Sequence, residues 1–415
     1  MSSTALRPVR RRRVFYIPGY DPFPPRRYRE LYRKEAAAQA AISGYTITFA
    51  PVRPRAGFGW QVRSQIDGHE VETGIEVLTW SDIVQGSRPH SVLATYVDLL
   101  RTAWIYISTG ALFRLMRLRK GPVIAALYPV VALVMQFFAA LALAWALFRV
   151  IGFAALDIWG GDAQLPATVV GTVMGLWVFA SVLRWFQRMD GQFFAYYLMH
   201  DFAFSAAESG AYADVLETRL TVFRARIVEA LQGDADEVLV VGHSSGAHLG
   251  VSLLADILRK GERPPEGPAL AFLSLGHVVP MLTFLPQAYR LRGDLRVLSA
   301  CPDIAWVDIT APGDGCCFAL CDPVAISGQS TPDKTGPLVF SAAFTQSLSP
   351  ERWKALRWRF FRLHFQYLCA FDRPKDYDYF QITAGPQRLA DRYDGRSPSR
   401  SRIERTVTGY TAARL

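Results

Sequence analysis

Residues 242–246 read Gly-His-Ser-Ser-Gly, a G-x-S-x-G pattern in which two glycines bracket a pair of serines. The preceding run, Glu237 to Val241, is rich in valine and predicts a short buried strand. Apolar side chains then recur at helical spacing, at Leu249, Leu253, Leu254, Ile257 and Leu258. Small residues at a sharp turn from strand to helix permit a strained backbone that exposes the serine hydroxyl. The pattern therefore predicts a nucleophilic Ser244, and the alternative is an ordinary loop rich in glycine and serine.

A nucleophilic serine needs a base to accept its proton, and the base needs a carboxylate to orient it. Where the serine stands on such a turn, the acid and then the histidine follow it along the chain. His248, His277 and His364 follow Ser244. His248 lies within the predicted helix and leaves no acid between itself and the serine. His364 is favoured over His277 because several acidic residues precede it and it lies in a separate aromatic segment.

The acid is expected just beyond the end of a strand that follows the turn. Residues 304–310 read as that strand, and the loop APGDGCC comes next. Asp314 lies in this loop and is the favoured acid. Asp308 lies within the strand and is the alternative, and Asp322, in a Cys-Asp-Pro turn, is a third choice.

Attack on an acyl carbonyl also requires donors that stabilise the oxyanion. One donor is expected to be the backbone N–H of Ser245, the residue after the nucleophile. The other is expected in a loop after an earlier strand. The segment VFYIPGYD contains an apolar strand that ends at Pro18-Gly19, which indicates the N–H of Tyr20. The alternative for this loop is an ordinary glycine turn.

These segments together resemble the α/β-hydrolase superfamily, and within it the lipase-like serine hydrolases. The matching stretches are VFYIPGYD, VLVVGHSSGAHLG, LAFLSLGHVVP, ITAPGD and LHFQYL. The sequence His364-Phe-Gln-Tyr367 is similar to the H-x-x-Y sequence around the histidine of class 3 lipases. The resemblance implies a triad of Ser244, His364 and Asp314 that needs no metal or organic cofactor. Little chain precedes the first predicted strand, so the usual opening hairpin of that superfamily is expected to be absent.

Strands and helices alternate around these residues. Strands are predicted at Val14–Ile17, Tyr45–Ala50 and Gly74–Trp80, with a helix from about Pro25 to Ala41. Such alternation is typical of an α/β fold, in which covering helices pack on a mostly parallel sheet. We therefore expect an α/β-hydrolase-like sheet that is interrupted by an insertion.

The insertion contains two long uncharged stretches, Gly121–Phe148 and Ala163–Leu183. Each is long enough to cross a bilayer, which takes roughly 20 apolar residues. Basic residues flank the outer ends, at Arg114, Arg117, Arg119, Lys120, Arg184 and Arg188, and the loop between the stretches carries Asp157 and Asp162. Because basic flanks stay on the cytoplasmic side, the pattern predicts a two-helix transmembrane hairpin with both outer ends in the cytoplasm.

The chain is thus expected to contain five parts. These are a basic tail at 1–13, the first part of the hydrolase domain at 14–85, a helical insertion at 86–231 with transmembrane helices at about 122–149 and 164–186, the second part of the hydrolase domain at 232–385, and a basic disordered tail at 386–415. The segments 86–120 and 188–231, on either side of the hairpin, are expected to be amphipathic helices along the membrane surface.

The composition of the chain indicates which class of partner it binds. The chain has a net charge of +10 and is 51% hydrophobic. The basic residues lie beside apolar spans rather than within a nucleic-acid recognition module, so an anionic membrane is the expected partner and nucleic acid is not. The N-terminus lacks the apolar segment of a signal peptide, and the five cysteines are expected to be reduced. Cys317 and Cys321 lack the second Cys/His pair that a structural metal site requires.

The sequence therefore favours an esterase- or lipase-like serine hydrolase in the bacterial inner membrane, multi-pass, with its catalytic domain on the cytoplasmic side. The expected substrate is an acyl ester or thioester, or another lipid-like molecule. Two alternatives stay open: a non-catalytic membrane scaffold with the same fold, and an acyltransferase in which an alcohol replaces water. The oligomeric state is not determined at this level.

The predicted topology can be tested with a reporter that is active only outside the cytoplasm. Inserted between Asp157 and Asp162, the reporter should be active, because the acidic loop is expected to cross the membrane. Fused after Leu415, it should be inactive. Activity of the C-terminal fusion would contradict the two-helix hairpin.

Overall fold

The computed structural model describes residues 8–50, 57–88, 91–160 and 164–414. These residues belong to two units. The first, the sheet unit, comprises the chain up to Gly86, residues Tyr106–Val123 and the chain from Ser205 onward. The second, the helical unit, comprises Ser87–Ile105 and Ile124–Phe204. The helical unit is therefore narrower than the insertion expected at 86–231.

Eight strands form one sheet in the sheet unit. They are β1 (Arg11–Ile17), β2 (Thr46–Ala50), β3 (Phe58–Ile66), β4 (His69–Val77), β5 (Glu237–His243), β6 (Ala269–Leu275), β7 (Ala305–Thr310) and β8 (Leu338–Ser341). Their spatial order is β2-β3-β4-β1-β5-β6-β7-β8. The β2–β3 and β3–β4 pairs are antiparallel, and the other pairs are parallel. The chain thus has the predicted α/β fold with a mostly parallel sheet.

Helices connect the strands within the sheet unit or form the helical unit. Among the described residues they are α1 (Arg26–Ser43), α2 (Ser81–Ser87), α3 (Val92–Ser108), α4 (Ala111–Leu118), α5 (Lys120–Trp159), α6 (Gln164–Arg188), α7 (Asp190–Phe193), α8 (Ala195–Ala206), α9 (Asp214–Leu231), α10 (Ser245–Arg259), α11 (Pro280–Thr283), α12 (Tyr289–Ser299), α13 (Pro323–Ile326), α14 (Phe344–Ser347), α15 (Pro350–Leu356), α16 (Phe360–His364), α17 (Tyr379–Ala384) and α18 (Leu389–Arg392). A 3₁₀ turn, Phe365–Leu368, follows α16. The predicted helix near Pro25–Ala41 is confirmed as α1.

The centre of the sheet is β5, in which every residue is buried. Its neighbours are β1 and β6, both parallel to it. In the register of the strands, Ile17 pairs with Gly242, His243 with Leu275, and Leu275 with Ile309. The carboxyl ends of β1, β5, β6 and β7 therefore meet at one edge, where α/β folds place their sites.

The first strand begins at Arg11, three residues before the predicted start, so part of the expected basic tail belongs to the sheet. Arg12 is buried, and its Nε donates to Glu237 at 2.6 Å. Its terminal nitrogens donate to the carbonyl oxygens of Gly385 and Gln387 at 2.6 and 2.5 Å. Arg12 can lie in the interior here because the folded chain supplies an acceptor for each of its three guanidinium nitrogens.

Sequence reasoning missed β3, and it placed β4 too late, at Gly74–Trp80 instead of His69–Val77. Polar and apolar side chains alternate along β3, as in a strand with one solvated face, and charged residues obscured the pattern. The strands β2 and β3 give the sheet an antiparallel edge. In the chain this antiparallel edge comes after β1 and not before it.

The prediction that 386–415 is disordered was wrong for the described part of this segment. Ile403 forms a bridge with Cys321, and its N–H donates to the carbonyl of Leu320 at 2.7 Å. The buried guanidinium of Arg292 donates to the carbonyl of Ala412 at 2.6 Å. Composition indicated disorder, but backbone hydrogen bonds to the sheet unit hold this segment in place.

Two helices of the helical unit, α5 and α6, are long and apolar enough to cross a membrane. At about 1.5 Å per residue they measure about 60 and 38 Å, more than the roughly 30 Å of a bilayer core. Their large side chains are mostly exposed, including Met135 at 68%, Leu165 at 78% and Trp177 at 67%. Helix α5 continues beyond the predicted end, so Asp157 is helical, and Asp162 lies outside the described residues.

Small residues bring α5 and α6 together. A methyl group on Gly171 would lie 3.0 Å from the Phe148 ring, and one on Gly175 would lie 3.3 Å from the carbonyl oxygen of Ala144. Spaced four residues apart, the two glycines share a face of α6 and allow the close approach that is typical of helix pairs in membranes.

The buried pair of Arg12 and Glu237 gives a test of the fold. Replacement of Arg12 by Met should lower the free energy of unfolding by about 3–5 kcal/mol, because the Glu237 carboxylate is left buried without its charged partner. The double variant Arg12→Met with Glu237→Gln should recover part of this loss. Urea titration of the purified full-length protein measures both.

The matched control is Arg33→Met, which removes an ion pair with Glu30 in which both side chains are more than half exposed. This change should cost less than about 1 kcal/mol. If Arg12→Met and Arg33→Met lower the free energy of unfolding equally, the buried pair contributes no more to stability than the exposed pair.

Candidate active site

Ser244 stands between β5 and α10 with a strained backbone, at φ 57° and ψ −121°. Such a conformation is costly for a residue other than glycine and persists only where the surroundings enforce it. A methyl group on Gly242 would lie 2.6 Å from the carbonyl oxygen of Gly246, and one on Gly246 would collide with the carbonyl oxygen of Ile17. Both glycines of the pattern are therefore required by the sharp turn from strand to helix.

The loop after β1 lies directly against Ser244. A methyl group on Gly19 would be 2.9 Å from the serine Cβ and 3.3 Å from its Oγ. The indole of Trp80 donates to the carbonyl of Pro18 at 3.0 Å, and its ring packs edge-on against buried Tyr20. The expected oxyanion residue Tyr20 is thus one residue from a glycine in contact with Ser244.

The second expected oxyanion residue, Ser245, begins α10. The N–H groups of a helix's first turn have no acceptor within the helix, and the helix dipole favours negative charge there. The backbone N–H of Ser245 is therefore suited to donate a hydrogen bond to an anionic oxygen, and this does not require the Ser245 side chain.

The favoured acid and base are in direct contact. His364 Nδ1 lies 2.7 Å from Asp314 Oδ2. The Tyr367 hydroxyl donates to the same oxygen at 3.0 Å, and the N–H of Cys316 donates to Oδ1 at 2.9 Å. Since a carboxylate only accepts, the Nδ1 of the imidazole carries the proton, and Nε2 is left with a lone pair that can act as a base.

Asp314 is buried and yet suited to be ionised. Burial raises the pKa of its carboxyl, but the charge and hydrogen bond of His364, with the donors at Cys316 and Cys317, bring the pKa below its usual value. The carboxylate therefore holds the imidazole in one tautomer and would stabilise a positive charge on it.

Ser244 and His364 adjoin consecutive residues at the end of β6, Leu275 and Gly276. The Ser244 N–H donates to the carbonyl of Leu275 at 2.9 Å. The next residue, Gly276, has φ 54°, and a methyl group on it would lie 3.1 Å from His364 Cε1. Within the described chain the Ser244 hydroxyl forms no hydrogen bond with His364. In hydrolytic sites this contact commonly tightens when substrate binds.

His243 packs beside the turn and contacts His364. Its Nε2 donates to the His364 carbonyl at 3.0 Å, and the two rings lie 4.7 Å apart between centroids. Burial, with a smaller contribution from His364, lowers the pKa of His243 to about 3. It is therefore a neutral packing residue whose position fixes that of His364.

The alternative acid, Asp308, lies in a different cluster. It accepts a hydrogen bond from Ser274 Oγ at 2.6 Å, and its other oxygen is 3.6 Å from His277 Nε2. That nitrogen donates to the carbonyl of Cys321 at 2.9 Å. Burial raises the pKa of Asp308 to about 6, which disfavours its ionised form. Asp308 and His277 thus contact each other, whereas Asp314 contacts His364.

The remaining candidates have structural partners. Asp322 caps α13 by accepting from the N–H groups of Val324 and Ala325. His248 is buried, and its Nδ1 lies 2.9 Å from the Tyr212 hydroxyl. The residue that sequence reasoning left without a role is Tyr367, whose hydroxyl donates to the carboxylate of Asp314. Its spacing of three residues from His364 was the available signal.

Three side chains at this site could in principle hold a metal ion. Ligand atoms of Asp314, Cys316 and His364 lie within 4.8 Å of one another. The hydrogen bond between Asp314 and His364 already accounts for the placement of two of them. Cys317 and Cys321 are both buried, and burial raises the pKa of each thiol, which disfavours the thiolate that metals bind.

Comparison of the chain with known protein families, with curated proteins and with solved structures found no significant match. What the chain does is therefore inferred from its own geometry. Ser244, Asp314 and His364 come from three separate parts of the sequence and meet at one edge of the sheet.

The choice of acid can be tested by paired substitutions. Asp314→Asn should slow modification of Ser244 by a fluorophosphonate by roughly 10²–10⁴-fold, since the imidazole loses its tautomer and its compensating charge. Asp308→Asn should be much milder, because an amide oxygen can still accept from Ser274. The labelling rates of equal amounts of folded protein measure both, and the reverse ranking would assign the role to Asp308.

Proposed function

We propose that the protein is a membrane-anchored serine hydrolase of the α/β-hydrolase type, which cleaves an acyl ester or thioester. The observation that carries the proposal is the 2.7 Å contact between His364 and Asp314 beside a serine held at positive φ. Strain at a non-glycine residue and a buried acid–histidine pair both cost stability. A purely structural scaffold gains nothing from keeping the two together.

The arrangement of the sheet supports the hydrolase assignment. The turn at Ser244 follows the central strand, and the proposed oxyanion loop follows the neighbouring strand β1. The acid follows β7 at the same edge. Sheets of the α/β-hydrolase superfamily place their nucleophile, oxyanion loop and acid in this way. The antiparallel edge of the sheet is formed by β2 and β3, which follow β1 in the chain.

In the proposed reaction, Ser244 Oγ attacks the acyl carbonyl while its proton passes to His364 Nε2. The N–H groups of Tyr20 and Ser245 stabilise the oxyanion, and Asp314 stabilises the imidazolium. The proton then moves to the leaving alcohol or thiol as the C–O or C–S bond breaks, which leaves an acyl-enzyme. Water, deprotonated by His364, releases the acid and regenerates the serine.

The apolar surface of α5 and α6 supports attachment to a membrane. Large exposed apolar surfaces are rare in proteins surrounded by water, and they call for an apolar environment. Basic residues at the outer ends of the two helices favour an orientation with the sheet unit in the cytoplasm, at a bacterial inner membrane. A hydrolase held there has ready access to acyl substrates that partition into lipid.

Covalent labelling tests the enzyme directly. A fluorophosphonate should modify the wild-type protein, and Ser244→Ala should abolish the modification, because the alanine has no nucleophile. His364→Ala should slow it by roughly 10²–10⁴-fold, the usual effect of losing a general base. In-gel fluorescence of membranes that contain equal amounts of each variant is the measurement.

Two control variants distinguish Ser244 and His364 from the neighbouring Ser245 and from the other candidate histidine, His277. Ser245→Ala should label almost normally, because alanine keeps the backbone N–H that position 245 is proposed to supply. His277→Ala should also label, since His277 contacts Asp308 and Cys321 rather than Asp314. If folded wild-type protein is not labelled while a known serine hydrolase in the same membranes is, the protein is a scaffold.

A further inference from the structure

The helical unit contains a large apolar cavity between three of its helices. Its volume is about 880 Å³, within the roughly 300–1,000 Å³ of small-molecule sites. Side chains of α3, α5 and α6 line it, among them Leu93, Leu100, Val134, Phe137, Phe138 and Phe179. The cavity is thus large and apolar enough to accept hydrocarbon.

Polar contacts and aromatic packing fix the walls of the cavity. The Tyr96 hydroxyl on α3 donates to the carbonyl of Leu133 on α5 at 2.9 Å. The ring of Phe137 packs against Tyr96 at 5.8 Å and against Phe179 of α6 at 5.3 Å between centroids. The three helices therefore meet through one aromatic cluster, and the cavity is a built feature of the unit.

One strip of the cavity wall is polar and basic. Arg184, Gln187 and Arg188 line the cavity from the last turns of α6, at a spacing that places all three on one helix face. Both arginines are exposed, and neither forms an ion pair within the described chain. An apolar cavity with two uncompensated guanidinium groups fits a ligand that has hydrocarbon at one end and a negative charge at the other.

We propose that this cavity binds an anionic phospholipid, with acyl chains against the aromatic cluster and the phosphate at Arg184 and Arg188. The guanidinium group suits phosphate because it donates in a planar, bidentate fashion. A zwitterionic phospholipid carries a compensating cation and gains less from the two arginines. The site lies within the helical unit and does not depend on the chemistry of Ser244.

The proposal is tested on the purified full-length protein in detergent by native mass spectrometry. Phosphatidylglycerol and phosphatidylcholine with the same acyl chains are titrated separately. Phosphatidylglycerol should bind at least about tenfold more tightly, since each basic group contributes roughly fivefold to the attraction of an anionic lipid. The double variant Arg184→Gln with Arg188→Gln should bring the two affinities within about twofold of each other.

Matched controls separate the charge from the cavity. Arg149→Gln, on α5 and outside the cavity lining, should keep the preference for phosphatidylglycerol. Ala180→Trp, which fills the cavity, should weaken both lipids, and Ala139→Trp, at an exposed position of α5 outside the lining, should weaken neither.

Several results would overturn the proposal. These are equal affinity of the wild-type protein for the two lipids, a preference that survives the double arginine variant, and lipid binding unaffected by Ala180→Trp. A fourth is a dimer that Ala180→Trp alone dissociates, because a second copy of the chain would then occupy the cavity. Circular dichroism and an unchanged size-exclusion profile show that the variants are folded.

Discussion

A non-glycine residue at positive φ costs of order 1–3 kcal/mol unless its surroundings enforce the conformation. Ser244 is such a residue, and three close approaches of the backbone surround it. Gly19 touches its side chain, Gly242 faces the carbonyl of Gly246, and Gly246 faces the end of β1. These contacts exist only because β1 and β5 are parallel neighbours in register. The strained conformation of the half-buried Ser244 therefore depends on the central pairing of the sheet, and a shift in that pairing would destroy the turn.

Buried carboxyl groups show how the same side chain acquires different properties. Asp314 has donors for both oxygens and an imidazole beside it, so its pKa is lowered in spite of burial. Asp308 is equally buried, and burial raises its pKa to about 6; one of its oxygens has no hydrogen-bond partner among the described residues. The two lie six positions apart in the chain. The difference arises from the elements that face each of them, because in a low-dielectric interior the nearest donors decide whether a charge is tolerated.

The two units of the chain differ in the kinds of side chain that they bury and expose. In the sheet unit, even an arginine-rich strand is accommodated by pairing Arg12 with Glu237 and with carbonyl oxygens. In the helical unit, apolar side chains such as Met135 and Trp177 face outward. Within that unit, glycines pack α5 against α6, and an aromatic cluster holds α3 beside them. Its interior therefore combines close helix contacts and an aromatic cluster with a small buried apolar core.

The sequence alone determined the features that depend on local spacing. The strand–turn–helix around Ser244, the order of serine, acid and histidine, and the two apolar spans all follow from patterns within short windows. Tertiary structure alone decided what depends on distant partners. It paired His364 with Asp314, placed Asp308 with His277, buried Arg12 and ordered the segment through Ile403. The physical reason is that a charged or polar side chain has no fixed preference for the interior until its partners, which lie far away in the chain, are known.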